Sequence, residues 1–295
     1  MILKSLIKRN TKLFFKDKGM FFTALITPLI LLVLFFTFLG NVYRDTFVSA
    51  IPEGLSVPDG LLDGIVGGQL LSSLLSVSCV TVAFCSNLLM VTDKVTGARK
   101  DLTVSPVKAS TLALSYYIST AVVTLIICLV AMIVGFGYLS VTGWHLSLTD
   151  VVLTALDTFV LALFGTALSS LVCSFLSTQG QISAVGSIVS AGYGFISGAY
   201  MPISQFSDGI QKVITCLPGT YGTGLMRNHL MATPVAKLKD YGVPDEVCEI
   251  IKDLTDCNIY FFGTKVDESA MYVILGVTVV LLITALIFVT KRKTS

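Results

Sequence analysis

The chain has 295 residues, 54% hydrophobic and only 13% charged, with a formal net charge of +2 and a mean hydropathy of +0.85. Soluble domains carry roughly 25% charged residues, so this chain lacks the polar groups to cover a water-exposed surface, and its hydrophobicity excludes disorder. The small net charge gives no footprint for nucleic acid, and uncharged runs far longer than the about 10 residues of a barrel strand predict an all-α polytopic membrane protein.

The opening segment ILKSLIKRNTKLFFKDK spaces Lys4, Lys8, Lys12 and Lys16 four residues apart and sets Leu3, Leu6, Ile7, Leu13 and Phe14 on another side. That pattern predicts an amphipathic helix within 1–19, lying in the membrane interface against anionic lipid. Uncharged runs follow at 19–43, 64–92, 109–149, 158–207 and 269–290, of 25, 29, 41, 50 and 22 residues. A span needs about 20 residues. The longest run extends a span that begins near Val151, and the polar STQG at Ser177–Gly180 divides it. Six transmembrane helices are therefore expected near 20–41, 67–91, 111–139, 151–176, 181–201 and 270–290. After the first run, LGNVYR offers no small-residue cleavage site, so that segment is expected to remain as a span. Trp144 fits an interfacial anchor after the third.

Charge orients the spans. Segments 1–19, 92–110, 177–180 and 291–295 hold 13 of the Lys and Arg residues, whereas 42–66, 140–150 and 202–269 hold 7 in more than twice the length. The positive-inside rule then puts both termini in the cytoplasm, across a plasma membrane. Asp157 is the one ionisable residue expected inside a span, where a charge costs about 3 kcal/mol at the bilayer centre. It is either a satisfied packing residue or a contact on a substrate path.

No phosphate loop, H-E-x-x-H, G-x-S-x-G or C-x-x-C pattern occurs, and His145 and His229 are the only histidines. The sequence thus predicts no catalytic or metal centre. Cys79, Cys85, Cys128 and Cys173 fall within spans as small packing residues. Cys248 and Cys257 bracket a short helix, CEIIKDLTDC, as a candidate disulfide or as two free thiols. That helix begins at Pro244, Asp245 and Glu246 and gathers Val247, Ile250, Ile251 and Leu254 on one face.

Two segments carry more. The loop after span two, VTDKVTGARKDLTVSPVKAS, combines Asp93, Lys94, Gly97, Arg99, Lys100, Asp101 and Lys108 and ends in Ser105-Pro106. It reads as a solvated loop or as a short helix offered to a soluble partner. Span five is rich in small residues (Ser183, Gly186, Ser187, Ser190, Gly194, Gly198), which allow close helix approach within one subunit or across a dimer. After Met201-Pro202, the stretch from Phe206 to Leu217 is too short to cross. Pro218-Gly219 breaks it, and a second short piece reaches Arg227. Two re-entrant helices before the last span are expected, buried in protein or lining a cavity.

With these segments in place the chain resembles the permease subunits of ABC-2 type exporters, over its whole length as a single transmembrane domain, 1–295. The resemblance rests on the basic start, the six-span layout, the loop D-K-x-x-G-x-R-K-D-L-x-V-S-P at Asp93–Pro106, and S-G-A-Y-M-P…L-P-G-T-Y…R at Ser197–Arg227. Asp93 stands where the family usually has glutamate, Ala98 follows Gly97 in place of threonine, and 229–269 forms a longer insert. The resemblance implies a coupling helix bounded by Gly97 and Pro106, with Asp93, Lys94, Arg99, Lys100 and Asp101 meeting an ATPase subunit. It implies two ATPase copies, ATP and Mg bound on them rather than on this chain, and a second permease copy, identical or not, completing the path. Rival readings are an ion-coupled secondary transporter, which should show repeats and more buried ionisable groups, and a membrane scaffold or immunity protein.

Overall fold

The computed structural model describes residues 2–52, 55–104 and 107–292. Helix α1 (Ile2–Lys16) leads at Asp17 into α2 (Lys18–Leu34), whose first turn is capped by the Asp17 side chain accepting from Met20 N at 3.0 Å. A π-helical stretch, Phe35–Leu39, carries α2 without a break into α3 (Gly40–Ala50). Then come α4 (Asp59–Val95), α5 (Ala98–Val104), α6 (Ala109–Thr142), α7 (Leu148–Phe175) and α8 (Gln179–Ile196). Ser147 and Asp150 form a reciprocal capping box at the start of α7, and Thr178 and Gln181 form another before α8. The remainder is α9 (Asp208–Thr215), α10 (Pro218–Lys237), α11 (Asp245–Leu254), a hairpin of β1 (Tyr260–Phe261) and β2 (Thr264–Lys265), and α12 (Glu268–Arg292).

Among the described residues, five helical segments are long and apolar enough to cross a bilayer: Lys18–Ala50, Asp59–Val95, Ala109–Thr142, Leu148–Phe175 and Glu268–Thr290. They match five of the six expected spans. The sixth, α8, is a helix at the expected place, but it is outside this set. Gln179, Gln181 and a series of serines and glycines lower its hydropathy, and its 18 residues extend only about 27 Å.

Helix α4 is the hub. It packs against α2, α6, α7, α8 and α10, and its most apolar window is 94% buried, whereas that of α12 is 6% buried and faces outward. Gly165 lets α7 approach it: a β-carbon there would stand 2.5 Å from the Cys79 carbonyl oxygen. Gly68 does the same for α10, since a β-carbon there would stand 2.8 Å from the Leu230 carbonyl oxygen. The largest apolar cluster joins Leu75 and Val80 of α4 to Leu161 of α7, Leu225 of α10 and Leu275 of α12.

The bundle has two distinct ends. At one, called here the loop end, Arg9 of α1, Lys94 of α4, Tyr116 of α6, Ser174 of α7 and Thr290 of α12 come together. At the other, the insert end, α3 and α11 cover the start of α4 around Phe47, Leu61, Ile65, Val235 and Ile251.

One expectation needs correction here, and of the two readings of Cys248 and Cys257 the free thiols hold. The second re-entrant piece was expected to stop near Arg227, yet α10 continues through Pro234 to Lys237 and is a core helix, buried from Gly219 to Arg227. The ring of Pro234 is accommodated one turn before the helix end. Cys248 and Cys257 are not bonded. The Cys248 Sγ lies 3.8 Å from the Val235 carbonyl oxygen and the Cys257 Sγ lies 3.8 Å from Met231 Sδ, so each thiol packs separately against α10. Burial pushes the Cys257 thiol up to about 11, which keeps it protonated.

Candidate coupling loop and buried polar network

The last turn of α4 directs its two charged residues inward. Asp93 is buried and accepts from Arg9 Nη1 and Nη2 at 2.7 and 3.2 Å and from the Tyr116 hydroxyl at 2.6 Å. One carboxylate thereby fastens α1 and α6 to α4. Its hydrogen bond raises the Arg9 guanidinium further above its ordinary value, so that cation is kept at every physiological pH. Lys94 donates from Nζ to the carbonyls of Cys173, Ser174 and Leu176 at 3.2, 3.2 and 3.1 Å, capping the C-terminus of α7, where a cation is favoured. Asp93 and Lys94, both expected at the partner contact, are engaged within the bundle in this structure.

Beyond them the chain turns. Gly97 has φ of +85°, a left-handed conformation that glycine adopts without steric cost, and nothing stands near it. The short helix α5 follows directly. Arg99 is half-buried at the junction with Lys94 and Thr290, Leu102 packs back on Leu6 and Leu89, and Lys100, Asp101 and Val104 are exposed. Val104 is 87% exposed and Val95 43%. Pro106, the expected end of the helix, lies outside the described residues.

Asp157 sits in α7 at 2% exposure, with both oxygens engaged. Oδ2 lies 2.5 Å from His229 Nδ1 on α10, and Oδ1 accepts from the Tyr272 hydroxyl on α12. The His229 ring stacks near Tyr272, and its Nε2 lies 3.6 Å from Glu268. The carboxylate joins three helices and is satisfied by them, as a buried polar group must be.

Two residues earlier on α10, Arg227 is 1% exposed. It donates to Asp256 Oδ2 at 2.9 Å, to the Gly198 carbonyl at 2.6 Å and to Ser73 Oγ at 3.3 Å, while Asp256 also accepts from Ile203 N at 2.8 Å. A single guanidinium thus links α4, the end of α8, α10 and the insert. Ser76 bonds Thr223, and Asn87 reaches Ser169 and Ser170 on α7 at 3.2 and 2.7 Å. Sequence reasoning missed Arg227, His229 and Asp256 as buried ionic groups. The signal available was Arg227 within an otherwise uncharged, glycine-rich stretch. Among the described residues no group of three or more His, Cys, Asp or Glu side chains gathers to hold a metal ion.

No curated protein matches the chain. The family described as ABC-2 type transporter matches residues 2–231, from α1 through most of α10, and leaves out α11, the hairpin and α12. With a match over most of its length, membrane-spanning helices, and a short helix projecting from the end of its central one, the chain belongs to the ABC-2 type transporter family and is a membrane permease.

Proposed function

We propose that this permease is one subunit of an ATP-driven exporter, coupled through α5 to a separate ATPase chain that binds ATP and Mg. The carrying observation is Val104, 87% exposed on a short helix that extends from the most buried helix of the bundle. An apolar side chain so placed, beside exposed Lys100 and Asp101, suits a partner surface that supplies an apolar pocket and complementary charge. Movement of α5 would pass directly into α4, and from there to every helix packed on it.

The loop end is then cytoplasmic, which agrees with its excess of Lys and Arg. Helix α8 serves as the sixth span, with Ser183 and Ser187 exposed on a helix that packs mainly on α4. A second permease copy covering that side would shield its polar groups from lipid, and substrate would pass along the paired faces. Asp157, enclosed by His229 and Tyr272, is a positioning residue away from that path.

The test is co-purification. Arg99→Glu with Lys100→Glu should reduce recovery of the ATPase subunit at least tenfold while the permease remains folded. Val104→Asp should do the same. Unchanged recovery and unchanged vanadate-sensitive export from vesicles would remove the assignment of α5.

A further inference from the structure

A groove of about 580 Å³ runs between α2, α4 and α6, facing outward from the bundle. Its walls are apolar: Leu25, Leu29 and Leu32 from α2, Leu74 from α4, and Val130 and Ala131 from α6. Ser78 on its floor is turned away, its hydroxyl donating to the Leu74 carbonyl at 2.6 Å. Aromatic pairs close both ends. Phe15 and Phe21 stand with ring centres 6.0 Å apart at the loop end, and Phe36 and Tyr138 stand 5.6 Å apart at the other. From Phe21 to Phe36 the groove follows fifteen helical residues, about 22 Å at 1.5 Å each. Over that length the groove is an apolar bore open along one side. The length exceeds the ~15 Å that one leaflet of a hydrocarbon core provides. These dimensions suit one extended hydrocarbon chain.

The charge at its mouth identifies the rest of the ligand. Phe15 both lines the groove and lies on α1, on the same helix face as Lys8 and Lys12, seven and three residues earlier. Both ammonium groups are exposed, and among the described residues neither takes part in an ion pair. Arg9, pinned to Asp93, fixes the rotation of α1 and so holds this face over the groove. We propose that the groove binds one acyl chain of an anionic phospholipid, with the headgroup phosphate held by Lys8 and Lys12. This rests on the chain being a membrane protein and not on its coupling to an ATPase.

Native mass spectrometry of the intact chain, purified in mild detergent with phosphatidylglycerol or phosphatidylcholine of the same acyl chains, tests it. One phosphatidylglycerol per chain should survive, at least fivefold more abundant than phosphatidylcholine. Lys8→Glu with Lys12→Glu should abolish that preference, and Ala131→Phe, which fills the bore, should remove both adducts. Equal retention of the two lipids by the unaltered chain would overturn the proposal, as would full retention by Ala131→Phe. Should Ala131→Phe not fold, phosphatidylglycerol carrying a photoreactive acyl chain decides the matter on the unaltered chain. Cross-links confined to the α2 and α6 segments lining the groove support the site, and cross-links spread over α8 and α12 overturn it.

Discussion

Asp157, conspicuous in the sequence, has both carboxylate oxygens engaged by neighbouring helices. A carboxylate within a span invites a transport role, yet here each oxygen has a partner from a different helix. Asp157→Leu should destabilise the chain by about 1–3 kcal/mol for each polar group left unpaired, read as a fall in thermal unfolding temperature in detergent. Adding His229→Leu should cost less than the two changes taken separately, because they share one interaction. Asp157→Asn, which retains a hydrogen-bonding oxygen, should lose much less. Impaired export by Asp157→Leu with an unchanged unfolding temperature would instead return this residue to the substrate path. Asp93 repeats the lesson. Its partners Arg9, 84 residues away, and Tyr116, 23 residues on, are both needed to see that it points inward. A one-dimensional pattern places a charge at a membrane boundary without saying which way it faces.

At the scale of elements, gaps between charges located the spans well, because every interruption of an uncharged run is costly in lipid. Boundaries were less legible. Helix α4 begins at Asp59, two turns before its expected start, because Asp59 and Asp63 both pair with Arg44 and so extend the helix beyond the apolar segment. Helix α10 reads in the sequence as a short re-entrant piece because Pro218-Gly219 looks like a break, with Gly222 and Gly224 close behind it. In the structure Pro218 occupies the first turn, where its missing N–H is no loss, and these glycines permit close packing against Tyr193, Leu161 and Ile259. The same close approach gives a test at Gly165. A β-carbon there meets α4 backbone rather than a movable side chain, so Gly165→Ala should separate α4 from α7 and destabilise the chain by about 1–3 kcal/mol. Gly137, with open space beside it, should accept alanine without loss, and comparing the two unfolding temperatures checks the claim.

For the whole molecule, orientation is the property on which the coupling account depends. Cys216 sits at the turn from α9 into α10, which packs near Tyr193 and Phe164 in the depth of the bundle, whereas Asp240, beyond α10 at the insert end, is exposed. A membrane-impermeant maleimide should therefore label Asp240→Cys on intact cells, in a Cys216→Ser background. In that background, Lys100→Cys should be labelled only after permeabilisation, and the reverse pattern would place α5 on the wrong side for any cytoplasmic ATPase.

The hub helix also constrains how the protein is made. Ser73, Ser76 and Asn87 of α4 find their partners in Arg227, Thr223, Ser169 and Ser170, which lie 82 to 154 residues further along the chain. During synthesis α4 enters the membrane long before those groups exist, with polar side chains that lipid cannot satisfy. An insertase or the translocon wall must shelter it meanwhile, and a chain truncated ahead of α10 should be retained there and degraded rather than released.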